Sequence, residues 1–339
     1  MKPRRAHHRP GRPHRKPGGR QSVSSKAWWP WLKRGAAAVF FVLVASLLVS
    51  RARTIDWGEV FLSLQQYPRT AVWGAVALAA TSLLLYSCFD LLGRRYTGHT
   101  LSAPTVMTIT FISYAFNLNL GSLVGGVAFR YRLYSRLGLR TGVIARIMSL
   151  SMLANWMGYV LLAGAVFSLQ PLRLPASWPI AAIHLRLIGL VLLAAAAAYL
   201  SVCAFSRQRT LQVRGHTIDL PTFRMAGLQL LMGAGNWLLM AGIIFVLLQQ
   251  RIAFSAVLSA LLLAAVAGVI TRIPAGLGVL EAVFVALLSQ QMPRHELLAA
   301  LVAYRLIYFI APLGVASLVY LVMEARTRQQ QPQRPEVPG

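Results

Sequence analysis

Seven apolar runs, each at or near the roughly 20 residues that carry a helix across the hydrocarbon core of a bilayer, constrain this chain most. They are Leu32–Ser50, Ala71–Leu92, Ile147–Leu169, Leu185–Phe205, Met225–Leu248, Phe254–Ile270 and Leu297–Met323. In lipid, only helices and closed barrels satisfy their own backbone groups. These runs are continuous, rich in Leu and Ala, and do not alternate with period two, which excludes a barrel. Composition agrees, since 12% of the 339 residues are charged against about 25% in soluble domains. The expected fold class is an all-α polytopic membrane protein, with about seven or eight transmembrane helices plus one or two re-entrant or broken helices.

A net charge of +26 in a soluble protein would suggest nucleic acid. Its placement argues against that partner. Met1–Arg34 holds eleven Lys and Arg, including all four lysines of the chain, and no acid. With its Pro and Gly, this reads as a disordered basic tail over residues 1–31. It is too long for the basic region of a signal peptide, and no small-residue cleavage site follows Ser50, so Leu32–Ser50 is kept as a span. Residues 32–326 form the membrane domain and 327–339 a second polar tail. Cys88 and Cys203 both sit inside apolar runs with no metal-ligand spacing and read as small core residues.

The positive-inside rule puts the basic tail in the cytoplasm. Arg94 and Arg95 then mark the inner face after the second span. Ala103–Leu120 is apolar enough to enter the membrane, yet Arg130, Arg132, Arg136, Arg140 and Arg146 follow it closely. A crossing would put that cluster outside, so the segment is expected to be a re-entrant hairpin turning at Leu120–Gly126. Arg132, Arg136 and Arg140 recur every four residues and would share one helix face, anchored on anionic lipid. Short alternating stretches around Gly215 suggest a small hairpin. Downstream, Thr271–Glu281 contains Pro274, Gly276 and Gly278, which break one helix and let another begin. Charge does not decide whether 276–291 crosses or returns. Both termini are expected in the cytoplasm.

Among the eight acids, Asp90 and Glu281 fall inside apolar segments. Ionisable groups at depth are costly and face the bundle interior or a wet cavity. For Glu281 three readings stand: a binding group at a broken helix, a first-turn acid on the helix dipole, or a structural pair with Arg305. Asp90, about one turn before Arg94, reads as an interfacial ion pair. Arg130 follows Gly121, Gly125 and Gly126, and its guanidinium is either a bidentate phosphate holder or one more anchor. Arg305 lies between Tyr304 and Tyr308, with Pro312 able to kink the helix. Asn117, Asn119, Asn155 and Asn236 read as interhelical hydrogen-bonding groups. The dipeptide Asn155-Trp156 recurs as Asn236-Trp237, a hint of duplication.

No GxxxxGK[ST] loop, GxSxG or HExxH motif is present, and no lysine lies beyond Lys33, so nothing announces ATP binding or catalysis. No cofactor and no metal site is expected.

Several stretches resemble the YbhN-type bacterial inner-membrane proteins, relatives of the membrane domain of lysylphosphatidylglycerol synthase. They are Ser113–Leu118, Gly125–Leu139, Asn155–Tyr159, Ile273–Phe284, and Tyr304–Tyr308 with Pro312. The resemblance covers about Leu32–Arg326 and implies an inner-membrane, flippase-like fold that moves phospholipid between leaflets. In the synthase a soluble aminoacyltransferase domain follows the membrane part. This chain ends at Gly339 and is expected not to make lysyl-phospholipid by itself. The implied lipid-binding residues are Asn117, Gly125, Gly126, Arg130, Arg272, Pro274, Gly276, Gly278, Glu281, Tyr304, Arg305 and Tyr308. Two other readings stay open: a membrane-embedded transferase acting on a lipid carrier, and a scaffold that docks a soluble lipid-modifying enzyme.

Overall fold

The computed structural model describes residues 65–329 except 170–181, 207–209, 214–215, 272 and 274–275, together with residues 58 and 62. The tail 1–31, the expected span Leu32–Ser50 and residues 330–339 lie outside the described residues.

The described chain is helical. Helix α1 (Arg69–Ser87) runs through Cys88 into α2 (Phe89–Thr97). Helix α3 (Ala103–Leu120) is followed by a π-helical segment, π1 (Ser122–Phe129), and by α4 (Arg130–Arg136). Then come α5 (Thr141–Leu169), α6 (Ala182–Phe205) and α7 (Phe223–Leu247). Helices α8 (Phe254–Thr271), α9 (Val279–Leu288) and α10 (Arg294–Arg305) follow. A second π segment, π2 (Leu306–Ile310), leads into α11 (Ala311–Gln329). Six stretches among the described residues are long and apolar enough to cross a membrane. Among the described residues, paired strands occur as one antiparallel hairpin, β1 (Thr210–Val213) and β2 (His216–Asp219), with Val213 opposite His216. This is the small hairpin expected there.

Two parts of the chain enter and leave at the same face. Thr97 ends α2 and Ala103 begins α3, and at that face His99 meets the ring edge of Tyr134 on α4, centroids 6.5 Å apart. Val106 and Ile109 near the start of α3 join Leu133, Tyr134 and Ile144 in one buried cluster. So α3–π1–α4 is a re-entrant hairpin on the arginine-rich face. The opposite face collects the end of α7 and the end of α9, where Arg251 is paired with Glu296. Helix α9 has ten residues, about 15 Å of helix against a hydrocarbon core of about 30 Å. The α8–α9 unit therefore begins and ends beside the same ion pair, as a helical hairpin would.

Glycine sets how closely these pieces approach, as expected where apolar burial cannot drive helices together in lipid. A Cβ on Gly158 of α5 would stand 2.1 Å from the carbonyl carbon of Gly233 on α7, so the two backbones touch. A Cβ on Gly125 would fall 2.2 Å from the Asn117 nitrogen, which holds π1 flat against α3. One expectation fails. Helix α4 stops at Arg136, and Gly138 at φ 83° turns the chain toward α5. Arg140 thus lies beyond α4 and does not extend the face of Arg132 and Arg136, because a left-handed glycine ends the helix between them.

Candidate functional site

The two hairpin tips converge on one short stretch of the last long helix. At the end of α3, the Asn119 side-chain amide donates to Phe309 O at 3.0 Å and to Ala115 O at 2.9 Å. At the break between α8 and α9, Gly276 and Gly278 take φ of 57° and 76°, left-handed backbone that glycine adopts without strain. There Arg305 donates to Gly276 O at 2.9 Å. So residues 305–310 receive both tips. The π winding of Leu306–Ile310 interrupts the regular ladder, and Phe309 accepts the Asn119 amide.

Glu281 and Arg305 form a two-pronged pair, with Nε to Oε1 at 2.5 Å and a terminal nitrogen to Oε2 at 3.1 Å. Their side chains are 20% and 15% exposed. The guanidinium also lies over the Phe309 ring, 5.3 Å from its centroid. Three contacts fix one arginine, so it acts as the clasp between the broken helix and π2.

A second pair is wholly enclosed. Arg130, at the start of α4, lies 3.4 Å from Asp90 on α2, with side chains 4% and 0% exposed. Tyr134 donates to the other Asp90 oxygen at 2.8 Å, and Arg130 reaches Ser151 at 3.4 Å. Asp90, expected at an interface near Arg94, is instead fully buried, and its partner comes from a hairpin forty residues on. In this arrangement a lipid phosphate reaches Arg130 only after that pair parts.

Between the pairs runs a line of buried tyrosines. Ser82 donates to Asn236 Oδ1 at 2.8 Å and stands 2.8 Å from the Tyr308 hydroxyl. A hydroxyl has one proton, so Tyr308 must donate to Ser82, and Tyr114 at 3.0 Å must donate to Tyr308. Tyr114 stacks on Tyr86 with centroids 3.5 Å apart, and Tyr86 stacks in turn on Phe89, the neighbour of Asp90, at 4.6 Å. Tyr304 stacks on Tyr308 at 5.5 Å, one residue before Arg305. A spine of tyrosine rings, hydrogen-bonded from Tyr114 through Tyr308 and Ser82 to Asn236, therefore lies between the two ion pairs in the middle of an apolar bundle. Sequence reading missed Ser82, Tyr86 and Tyr114. A single hydroxyl in an apolar span carries no signal until its partners are known.

Beside π2 lies an open groove of about 800 Å³, walled by Ala79, Leu83, Phe111, Ile307, Pro312 and Val319 among others. Its hydroxyls are turned inward: Ser87 donates to Leu83 O at 2.7 Å and Thr108 to Pro104 O at 2.9 Å. The wall thus presents almost pure hydrocarbon.

Of the expected site residues, the fold gathers Glu281, Gly276, Gly278, Tyr304, Arg305 and Tyr308 at the π2 junction. Asn117, Gly125 and Gly126 lie at the α3–π1 contact, where a Cβ on Gly126 would stand 3.0 Å from Asn117 Oδ1. Arg130 stands apart with Asp90. Arg272 and Pro274 lie outside the described residues. Among the described residues no cluster of three His, Cys, Asp or Glu could hold a metal.

Fold and site together define a polytopic helical membrane protein built around two hairpins inserted from opposite faces. Residues 35–316 match the lysylphosphatidylglycerol synthase TM region, and the chain belongs to that family. It is 44% identical over 302 residues to inner membrane protein YbhN of Escherichia coli K12, covering 89% of this chain and 95% of that one. An uncharacterized protein of Synechocystis is 32% identical over 314 residues, covering 90% and 97%. A phosphatidylglycerol lysyltransferase of Staphylococcus haemolyticus is 24% identical over 301 residues, which is 85% of this chain but 34% of that enzyme.

Proposed function

We propose that this protein moves phospholipid between the leaflets of the bacterial inner membrane, with its arginine-rich face in the cytoplasm. The observation that carries the reading is the junction at π2. A hydrocarbon groove runs along one side of it, and a polar spine with two ion pairs runs along the other. A phospholipid needs both, apolar walls for its chains and a polar lane for its head group. Bilayer-depth charges mark such lanes, and interrupted helices supply their binding groups. Kinship to a lysyltransferase whose name specifies phosphatidylglycerol supports a phospholipid substrate. Glu281 would pair with a cationic head group, a proton or Arg305 by turns, and Arg130 and Arg272 would hold phosphate. With no P-loop motif, movement would follow a gradient, run passively or be powered by a partner.

Vesicles carrying a fluorescent phospholipid test this. The protein is expected to expose inner-leaflet label to an external quencher. Exposure equal to that of protein-free vesicles, across several head groups, contradicts it.

A further inference from the structure

Away from the junction, at the face opposite the arginine cluster, three chain segments enclose a polar cavity of about 290 Å³. Gln66 and Tyr67 come from the segment before α1, Gln249 and Arg251 from the α7–α8 turn, and His295 and Glu296 from the first turn of α10. Leu248 and Met292 lie beneath, almost fully buried. At about 30 Å³ per water, the space suits a small polar group and not an acyl chain.

Two features separate this cavity from an ordinary loop recess. Gln249 and Gln250 both adopt left-handed backbone, φ 52° and 59°, and they are the only non-glycine residues with positive φ among the described residues. Glycine would close this turn without strain, so what glutamine adds is a side chain at the cavity wall. Strain of this kind gathers at binding sites. Second, Arg251 and Glu296 meet through one nitrogen and one oxygen, and their side chains are 52% and 29% exposed. A cation and an anion thus stand side by side in the cavity lining, both partly open to solvent. Tyr67 adds a phenol that burial, aided by Glu296, pushes up to about 12, a neutral donor at any physiological pH.

We infer that this cavity receives a phosphate tethered to a primary amine, a phosphoethanolamine-type group, with Arg251 on the phosphate and Glu296 on the ammonium. A purely anionic group would leave Glu296 opposed, and a purely cationic one would leave Arg251 opposed. In the lipid-moving reading, on which the inference rests, the cavity is the head-group station of the leaflet opposite the arginine-rich face.

The test is titration calorimetry on the full chain in detergent. Four probes separate the sources: short-chain phosphatidylethanolamine, free phosphoethanolamine, inorganic phosphate and ethanolamine. Saturable binding of the short-chain lipid is expected, stronger than that of phosphate or ethanolamine alone. Arg251→Gln and Glu296→Gln should each weaken it at least tenfold, and Gln249→Gly should weaken it while keeping the fold. The exchanged double variant Arg251→Glu with Glu296→Arg, which keeps an ion pair, should recover part of the affinity. Phosphate binding as tightly as the zwitterion overturns the inference, as does binding untouched by both single variants or absent for every probe. Binding of free phosphoethanolamine without the lipid overturns the head-group source. Lipid movement in vesicles without this binding removes the station alone, whereas binding without movement removes the transport reading.

Discussion

Asp90 shows how strongly one residue depends on a distant one. It is completely buried, and its partners Arg130 and Tyr134 both come from the re-entrant hairpin. Removing one member of a buried pair leaves a charge unmatched and costs about 3–5 kcal/mol. Asp90→Ala is expected to lower stability by that amount in detergent unfolding, and Asp90→Leu with Arg130→Met to recover much of it. His99 gives a prediction in pH. Burial first, then the nearby Arg94, lowers its pKa, with Asp90 acting weakly the other way. Its ring nitrogens are buried without a hydrogen-bond partner. The unfolded chain therefore takes up the proton more readily, and stability falls as pH drops below the ordinary histidine value of about 6.5. Thermal unfolding between pH 5 and pH 8, ranges set by that value, should show this acid loss, reduced in His99→Gln.

Among the elements, the hairpins show what a sequence does and does not make legible. The α3–π1–α4 hairpin could be read because five arginines follow it and fix its exit face. Helices α8 and α9 could not, because their flanks carry too little net charge to tell the faces apart. The Glu281–Arg305 pair could be read as one possibility because Glu281 is the acid at depth nearest to Arg305 in sequence. The Asp90–Arg130 pair and the tyrosine spine were not, since both depend on how far α4 folds back. The closest helix contact gives a direct test. Gly158→Leu would force α5 and α7 apart where their backbones touch. Overpacking costs about 1–3 kcal/mol when side chains can yield; against backbone the loss should reach the top of that range, read as a fall in unfolding temperature. Gly142→Leu, with nothing within 4 Å of its Cβ position, should be silent.

For the whole molecule, opposed hairpins make a statement about sidedness. In a protein with Cys88 and Cys203 replaced by Ser, single cysteines at Arg95 and Ser135 should react with an impermeant thiol reagent from one side of the membrane. Cysteines at Gln66 and Gln291 should react from the other. All four positions are exposed. If Gln291→Cys reacted from the side of Arg95→Cys, α9 would cross and the second hairpin would not exist. Family membership and the helical class rest on extensive similarity, whereas lipid movement rests on how the hairpins meet at π2.

Arg305 holds that junction through Glu281, Gly276 and Phe309, so the decisive measurement is the rate of phospholipid exchange in vesicles containing the intact protein or Arg305→Gln. The account predicts exchange that rises with protein per vesicle and falls at least tenfold in the variant, a loss of about 1.4 kcal/mol or more in the barrier, while the variant still inserts and remains folded. Exchange no faster than in empty vesicles, or unchanged by Arg305→Gln, would contradict it.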